Sequence, residues 1–370
     1  MTTKYRAETV GSMLRPTELL QARGDLAAGL IGQTAFKEIE DRAVDNCVAV
    51  QEEAGIDVIT DGEMRRNVFA SQLVQASEGF ERIENNYVDW FDMEGNRQRD
   101  AVTVGLTGKI RMKRRLSAEE FTYLRARTKK PTKMTIPSPT MYAYYWVPGI
   151  SEAAYPNPAA YMAEVTDILR DEVEELIRLG ADYIQFDAPE FGMLLDPHQQ
   201  EWFRNKGFDV DFMLDDGIDM INAIIAGHDA GDVTFALHIC RGNDANRYMA
   251  RGGYDMISRR VFQRCNVSVL LLEYDDERSG TFEPLADVPE DTSVVLGLIS
   301  TKRAGVEAAE DLLERVNEAA RYIPLDRLAL SPQCGFASVA SGNNLGFEEQ
   351  AAKLRLTADV ARRIWGDERM

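Results

Sequence analysis

A histidine and two cysteines are the residues of this chain whose types and spacing could bind a metal. His238 and Cys240 lie two positions apart in a run that reads as a β-strand, and Cys334 follows a later strand. Residues two apart on a strand project to the same face, so this imidazole and this thiol point the same way. Glu273, at the end of another strand, adds a carboxylate. Nitrogen, sulfur and oxygen donors together form a ligand set typical of zinc.

The alternative interpretation is a hydrogen-bonded core histidine with two inert core thiols. His238 and Cys240 alone favour that alternative, whereas the polar residues at the ends of other strands favour a metal. The distance in sequence between Cys240 and Cys334 is not that of a zinc finger. The other two cysteines fit core positions, because Cys47 lies in a helical pattern and Cys265 directly precedes a strand. Four cysteines are too few for a disulfide scaffold in a chain of 370 residues.

The chemistry that such a site would support is alkylation of a thiol. Zinc has no redox chemistry and acts as a Lewis acid. Thiolate ligands make it electron-rich, which suits the binding of an incoming thiol better than the activation of water. Coordination lowers the pKa of that thiol, so its thiolate can attack an electrophilic carbon at neutral pH.

Short apolar runs separated by amphipathic stretches must position these residues. Most runs are continuous in Val, Ile and Leu, as expected for parallel strands covered on both faces. Eight such runs predict a single (β/α)8 TIM barrel, in the α/β class, over residues 1–370. A doubly wound open sheet is the competing fold, but no GxGxxG follows the first strand. The predicted strands are Glu8–Gly11, Ile56–Thr60, Lys133–Pro137, Tyr183–Asp187, Val233–Ile239, Val267–Tyr274, Val294–Ile299 and Leu328–Ser331; the predicted helices include Ile39–Ala54, Ala159–Leu179, Val210–Ala230 and Val306–Tyr322.

Polar residues follow nearly every predicted strand. In a barrel the carboxyl ends of the strands meet at one face, where barrel enzymes place their chemistry. The segment 79–130 interrupts the strand and helix pattern and is rich in charged and aromatic residues. It is predicted to be an inserted hairpin or lid after an early strand. The alternative is that this segment is a solvent-exposed insertion without a function.

Charge and hydropathy exclude several classes of protein. With 42 basic and 61 acidic residues, the formal charge is −19, which disfavours binding to nucleic acid or to an anionic membrane. No stretch is apolar enough to span a bilayer, and the first residues lack the apolar segment of a secretory signal. We therefore expect a cytoplasmic protein. Whether it forms a homo-oligomer is left open.

Seven motifs in order along the chain resemble the cobalamin-independent methionine synthase family. They are similar to its short, single-barrel members, described as 5-methyltetrahydropteroyltriglutamate–homocysteine methyltransferases, from about Ala7 to Trp365. The motifs are VGSMLRP, ITDGEMRRN, IQFDAPEFG, LHICRGN, LLLEYDDERSG, LGLISTK and LSPQCGFAS. The resemblance implies methyl transfer from methylfolate to the thiol of homocysteine, with zinc as cofactor and methionine as product.

The resemblance also implies roles for individual residues. His238, Cys240 and Cys334 match the zinc ligands of the family, and Glu273 matches its carboxylate ligand. Ser12, in the turn formed by Val10, Gly11 and Ser12, matches a residue that holds the homocysteine carboxylate. Glu63 and Asp187 match carboxylates that hold the ammonium of the amino acid, which in a dry site requires an anionic partner.

The chain departs from the long family members at the group that handles the proton. Those members have a histidine near the position of Thr301 and an additional N-terminal barrel. Threonine cannot transfer a proton at neutral pH, so the acid must be another group or solvent. The candidate catalytic carboxylates are Asp187, Glu190 and Asp275, with Asp276 beside the last.

The departure leaves other alkyl donors and thiols open. One alternative is alkyl transfer to coenzyme M from an epoxide or a corrinoid. Another is a metal-free lyase of the uroporphyrinogen decarboxylase type, which offers no role for both Cys240 and Cys334.

Two further groups of residues are candidates for substrate contacts. Tyr144 and Trp146, in an aromatic cluster, could stack on a flat pterin or could pack beneath a loop. Arg65, Arg66 and Arg241 could meet an anionic tail or form ordinary ion pairs.

Overall fold

A computed structural model describes residues 3–228 and 233–366 of the chain, and a parallel β-sheet lies at its centre. Six strands form this sheet, and every neighbouring pair of them is parallel. All their residues are buried except Thr234, which is half-buried. The six strands are β5 (Lys133–Pro137), β6 (Tyr183–Asp187), β7 (Thr234–Ile239), β8 (Val269–Glu273), β9 (Ser293–Ile299) and β10 (Leu328–Pro332). Their spatial order in the sheet is β10-β9-β8-β7-β6-β5.

The two faces of this sheet belong to separate apolar clusters. In β8, Leu270 and Leu272 join the large core, whereas Val269 and Leu271 join a small second cluster with Val295 of β9. This alternation follows from the two-residue period of a strand. A sheet covered on both faces explains why its strands read as continuous apolar runs.

The segments predicted as the first two strands each form only one bridge to the sheet. Ala7 bridges Leu330 of β10, and Ile59 bridges Thr132 next to β5, both in parallel. The prediction of an α/β fold with a parallel sheet is confirmed, but the sheet has six strands rather than the predicted eight.

Side chains explain why these two segments lack a full ladder. Oδ2 of Asp57 accepts hydrogen bonds from the backbone N–H groups of Arg6 and Ala7, at 2.8 and 2.9 Å. The side-chain amide of Gln51 bonds both backbone groups of Thr60, at 2.8 and 3.0 Å. Backbone groups satisfied by side chains are not available for strand pairing.

Helices lie between the strands close to where the sequence predicts them. The predicted helix Ala159–Leu179 is observed at Pro158–Arg178, with the side chain of Asn157 accepting from the N–H of Ala160 at its start. The helices are α1 (Thr17–Ala27), α2 (Gln33–Ala54), α3 (Gln72–Ala76), α4 (Ala118–Arg125), α5 (Pro158–Arg178), α6 (Pro189–Met193), α7 (Pro197–Asn205), α8 (Gly217–Ile225), α9 (Ser258–Arg264), α10 (Ala309–Ala319) and α11 (Phe347–Trp365).

One predicted helix is interrupted. The region predicted as Val210–Ala230 contains a π-helical turn, Phe212–Asp216, followed by α8. Residues 229 and 230 of that prediction lie outside the described residues. None of the helices in the described ranges is both long and apolar enough to cross a bilayer.

The segment 79–130 contains two antiparallel pairs and a helix. Strand β1 (Ser77–Arg82) pairs with β4 (Val104–Met112), and β2 (Tyr87–Phe91) pairs with β3 (Arg97–Ala101). Helix α4 then leads into β5. We call the β2–β3 pair, residues 87–101, the hairpin below.

Candidate metal centre and substrate cavity

His238, Cys240 and Cys334 converge although they are distant in sequence. One ligand atom from each lies within 4.8 Å of the other two, and all three side chains are buried. His238 is on β7, Cys240 directly follows it, and Cys334 follows β10. The alternation along β7 therefore brings the imidazole and the first thiol to one side, as the sequence indicates.

The imidazole of His238 has one nitrogen available to a metal. Nδ1 lies 3.2 Å from the carbonyl oxygen of Leu271, which can only accept, so Nδ1 carries the proton. Nε2 is buried and has no hydrogen-bond partner. A histidine that donates through one nitrogen to a backbone carbonyl and presents the other is the usual arrangement of a metal ligand.

The two thiols differ in acidity. Hydrogen bonding from Cys240 and the neighbouring His238 hold the pKa of the Cys334 thiol well below its ordinary value, although burial opposes this. The interaction with Cys334 raises the pKa of Cys240 well above its ordinary value, and burial adds to the rise. The cluster thus already contains one group that ionises readily, as zinc ligation requires.

Glu273, the predicted fourth ligand, lies at the edge of this cluster and is not among its three members. Its carboxylate lies 3.1 Å from Nζ of Lys302 and 3.6 Å from Arg278, and it accepts from the N–H of Arg241 at 2.6 Å. Burial would raise the pKa of Glu273, but Lys302, Arg241 and Arg278 lower it to about 2. Glu273 is therefore ionised, and ligation by it stays a prediction.

A cavity of about 440 Å³ opens onto the cluster. Its size is typical of a site for a small molecule. It brings together most of the residues predicted to contact substrate or metal, namely Val10, Ser12, Glu63, Tyr144, Asp187, His238, Cys240 and Cys334.

Glu63 has an unusual backbone conformation, and one of its carboxylate oxygens has no hydrogen-bond partner. Its φ of 56° is rare for a residue other than glycine. Oε1 accepts from Thr135 at 2.7 Å and lies 3.4 Å from Arg66, whereas the buried Oε2 has no hydrogen-bond partner. Gly11 permits this approach, because a Cβ there would lie 2.8 Å from Oε1 of Glu63. A buried unpaired oxygen beside a cavity suits a cationic ligand group.

Asp187, at the end of β6, lies in the same cavity. Its Oδ1 accepts from the side chain of Gln185 at 2.7 Å. Burial, with a contribution from Glu63, raises its pKa to about 7 although His238 opposes the shift. Two neighbouring buried carboxylates are costly to ionise together unless a cation binds between them.

Two of the other predicted carboxylates lie outside the cavity lining. Glu190 is buried and accepts hydrogen bonds from the hydroxyls of Ser138 and Thr140, and burial raises its pKa to about 7. The side chain of Asp275 is buried, and its carboxylate lies 3.9 Å from the guanidinium of Arg278. A direct reaction with a ligand in the cavity would require either side chain to move, so their catalytic role stays a prediction.

Trp146 also lies outside the lining of the cavity. Its ring packs in the core, with ring centroids 5.9 Å from Tyr161 and 6.5 Å from Phe208. This position argues against the predicted contact between Trp146 and substrate. The indole packs on Tyr161 of α5, in the core, and not on the cavity. Tyr145, which belongs to the same aromatic cluster in the sequence, does line the cavity.

The three arginines considered for an anionic tail are held elsewhere. Arg65 pairs with Glu40 and Asp41, and Arg66 pairs with Glu120. Arg241 bonds backbone carbonyls, including that of Gly252 at 2.9 Å. None of the three lines the cavity.

Some cavity residues are not evident from the sequence. Asn243 donates to the carbonyl oxygen of Gly335 at 2.6 Å and links the loop after β7 to the residue next to Cys334. Its position in the LHICRGN motif is the sequence feature that could have identified Asn243 as a residue of the site. Thr301, which does not line the cavity, donates to the same carbonyl at 3.1 Å. Val88 and Trp90 of the hairpin also line the cavity, and the aromatic content of the insertion pointed to them only as a group.

Comparisons with known proteins identify a family and several relatives that the chain resembles. The family described as "Cobalamin-independent synthase, Catalytic domain" matches residues 5–363. The uncharacterized protein YxjH of Bacillus subtilis is 34% identical over 367 residues, which cover 98% of this chain and 95% of that protein. A 5-methyltetrahydropteroyltriglutamate–homocysteine methyltransferase of Synechococcus is 23% identical over 88% of this chain, but over only 40% of its own length.

Solved structures share the fold. The putative vitamin-B12-independent methionine synthase of Listeria monocytogenes has a TM-score of 0.73 at 27% identity, covering 99% of this chain and all of the other. A B12-independent methionine synthase of Shewanella, solved in complex with selenomethionine, has a TM-score of 0.74 at 19% identity and covers 97% of both chains. The second likeness supports the fold alone.

Proposed function

The chain belongs to the cobalamin-independent methionine synthase family, whose members are methyltransferases, and from this premise we propose that it methylates the thiol of homocysteine to form methionine. The proposed methyl donor is 5-methyltetrahydrofolate. The observation that carries the proposal is the position of the His238, Cys240 and Cys334 cluster in one cavity with Glu63 and Asp187.

The residues of the cluster fit zinc. The free Nε2 of His238 and the two thiols are a nitrogen and sulfur donor set that zinc prefers, and Glu273 is the proposed fourth ligand. When bound, zinc would lower the pKa of a substrate thiol and so maintain the thiolate nucleophile. Ligands contributed by the ends of two strands, β7 and β10, that are far apart in sequence are typical of a catalytic rather than a structural site.

Residues of the chain would orient the amino acid. Oε2 of Glu63 and the carboxylate of Asp187 would receive the ammonium of homocysteine, and Ser12 would donate to its carboxylate. These groups lie in the same cavity as the cluster, so an amino acid bound by them would have its side chain close to the thiols. Fixing the reacting atoms in this way is itself a large contribution to rate.

The donor must gain a proton at N5 before its C–N bond breaks. Asp187 is the candidate acid that lines the cavity, whereas Glu190 and Asp275 would act only after a rearrangement. Thr301 is bonded to the carbonyl of Gly335 and has no acidic proton at neutral pH. Asp187 would be ionised while it holds the ammonium of homocysteine, so we propose solvent as the source of this proton.

The charge of the cavity disfavours the coenzyme M alternative. The sulfonate of that thiol would lie near Glu63 and Asp187, and like charges in a buried site repel strongly. A metal-free lyase is disfavoured because Cys240 and Cys334 converge on an imidazole without an evident structural reason.

We also propose that the sheet is part of a single eight-strand barrel. The segments around Ala7 and Ile59 lie between its outer strands, and Asp57 N–H donates to the carbonyl of Ala7 at 2.9 Å. Hydrogen bonds thus run from β10 through both segments to β5. In this view residues 1–370 form one catalytic domain, and 79–130 is an insertion in it.

The test is a methionine assay. Zinc-loaded protein with 5-methyltetrahydrofolate and homocysteine should form methionine, and protein freed of metal by a chelator should not. Full activity without metal would refute the proposed role of the cluster. If another thiol is methylated with a higher kcat/KM than homocysteine, that thiol is the acceptor and homocysteine is not.

A further inference from the structure

The loops that carry the two thiols of the cluster are joined by the side chain of Asn243. Its Nδ2 donates to the carbonyl oxygen of Gly335 at 2.6 Å. Asn243 lies three residues after Cys240, and Gly335 directly follows Cys334. In the sheet, β8 and β9 separate the strands that precede these loops. The bond from Asn243 therefore ties together two strand ends that the strand ladder keeps apart.

The amide of Asn243 is held in one orientation by two further side chains. Its Oδ1 accepts from Nδ2 of Asn343 at 2.9 Å. The hydroxyl of Thr301 donates to the same carbonyl of Gly335 at 3.1 Å and lies 3.3 Å from Nδ2 of Asn243. A backbone carbonyl can only accept, so the direction of these bonds is fixed. We call the three buried side chains of Asn243, Thr301 and Asn343 the clamp.

The backbone on both sides of Cys334 is confined. On one side, Gly335 packs so closely against Ser12 that a Cβ at Gly335 would overlap Oγ of Ser12. On the other side, Oε1 of Gln333 accepts from the backbone N–H of Thr301 at 2.6 Å. Both neighbours of Cys334 in the sequence are thus fixed, which leaves its thiol little freedom to move away from the cluster.

The clamp is suited to holding the site rather than to reacting. Asn243 lines the cavity together with the cluster, but both ends of its amide are already bonded within the protein. The side chains of Asn243, Thr301 and Asn343 carry no charge. Hydrogen bonds of this kind orient the residues that bind a metal, and the loss of one such partner typically lowers metal affinity by about 10- to 100-fold.

We infer that Asn243 is a positioning residue, supported by Thr301 and Asn343, that acts through Gly335 to hold Cys334 within binding distance of a metal. This inference rests on the metal site of the proposed function. It adds that the clamp forms the site before the metal binds. Without the clamp, the metal itself would have to order the loop after β10, and its affinity would be lower.

The first test is the affinity for zinc, measured by competition with a chromophoric chelator. Asn243→Ala should raise the Kd for zinc about 10- to 100-fold. Thr301→Val removes the second donor to the carbonyl and should give a smaller rise, whereas Thr301→Ser keeps the hydroxyl and should bind zinc like the wild type. An Asn243→Ala variant with the zinc affinity of the wild type would overturn the inference, although the cluster would still be a metal site.

Asn222→Ala is the matched control. The amide of Asn222 also bonds two backbone groups of a loop, the carbonyl of Arg264 and the N–H of Asn266, each at 2.8 Å. Asn222 does not line the cavity, so its loss should leave the Kd for zinc unchanged.

Cobalt(II) distinguishes a displaced thiolate from a general loss of folding. At saturation with cobalt, the charge-transfer absorption from thiolate to metal should be weaker in Asn243→Ala than in the wild type. A weaker affinity with an unchanged band would mean that the variant only destabilises the fold, and would overturn the inference. If Asn243→Ala does not fold, the comparison of Thr301→Val with Thr301→Ser decides in the same way.

Thiol labelling separates failure of the inference from failure of the proposed function, because it needs no metal. In metal-free protein, N-ethylmaleimide should modify Cys334 about fivefold faster in Asn243→Ala than in the wild type, as expected when one net hydrogen bond that closes the loop is lost. The rate at the buried Cys265, outside the cluster, should not change. If the wild type bound no zinc, the proposed function would fail and these rates would decide the inference. Equal rates at Cys334 in the two proteins would overturn it.

Discussion

The ammonium of Lys302 lies 3.1 Å from Oε1 of Glu273, and both side chains are fully buried beside the three-residue cluster. Burial disfavours each charge, and each is stabilised by the other. The pair therefore keeps a carboxylate ionised next to the thiols, where a predicted metal ligand is needed. It also makes Lys302 a part of the site that residue type alone did not reveal.

Removing one member of this pair should destabilise the fold. Lys302→Met leaves a buried carboxylate with only Arg278 and a backbone N–H as partners, and we expect a loss of about 3 kcal/mol in the free energy of unfolding. Urea denaturation of metal-free protein measures it. The double variant Lys302→Met with Glu273→Gln should recover most of the loss, and simple additivity of the two changes would show that the residues are not coupled.

Loss of a cluster thiol should remove the metal. Cys240→Ala should lower zinc content from one per chain to a small fraction and abolish turnover. Cys265→Ala is the control, because Cys265 is equally buried but lies outside the cluster, and its zinc content should be unchanged. Atomic spectroscopy of dialysed protein measures both, and equal losses would contradict the assignment of ligands.

Acid should release the metal from the wild type, since cysteine and histidine bind only when deprotonated. Zinc retained per chain should fall as the pH is lowered from 7 to about 5. A colorimetric chelator in the buffer measures its release. Retention unchanged down to about pH 4 would point to ligands other than these.

The carboxylate of Glu63 should be needed for amino-acid binding rather than for metal binding. Glu63→Gln removes the charge from a buried site with little change in shape, so KM for homocysteine should rise about 10- to 100-fold. Zinc content should stay at one per chain. The exposed Glu53→Gln should leave both quantities unchanged. A rise in the donor KM alone would indicate that Glu63 contacts the other substrate.

Replacing Glu190 should change how stability depends on pH. Burial raises its pKa to about 7 in the folded protein, compared with about 4.3 in an unfolded chain. The folded state thus binds the proton more tightly, and the associated stability is complete below about pH 4 and lost as the pH rises through 7.

Glu190→Gln mimics the protonated form and avoids this loss. It should gain up to about 3 kcal/mol over the wild type at pH 8 and little at pH 4.5, by urea denaturation at both values. Glu348→Gln, on the exposed side of α11, should show no such difference. A gain that is the same at both pH values would mean that the carboxyl of Glu190 does not titrate in this range.

The sequence predicted best those elements that depend on local pattern. The buried strands β5 and β6 have the predicted ends, because each is a short run rich in apolar residues that can be recognised in the sequence. The convergence of His238 and Cys240 follows from strand alternation in the same way. Cys334 required the further assumption that the strand ends meet.

The features that the sequence did not predict depend on contacts between distant residues. Asp57 and Gln51 take backbone partners from the first two predicted strands, and no local pattern shows this. The positions of Trp146 and Trp90 likewise depend on contacts between distant residues. A core partner, Tyr161, is available to the first, whereas the fold of the insertion carries the second to the cavity.

The order of the strands has a consequence for the cluster. In a flat sheet, β7 and β10 would be about 14 Å apart, since two other strands separate them at ~4.8 Å per step. Yet atoms carried by their ends lie within 4.8 Å. The sheet must therefore curl tightly toward the ligands. Any strain that opened this curl would move the sulfur of Cys334 away from His238 and Cys240, and so separate the three atoms proposed to bind the metal.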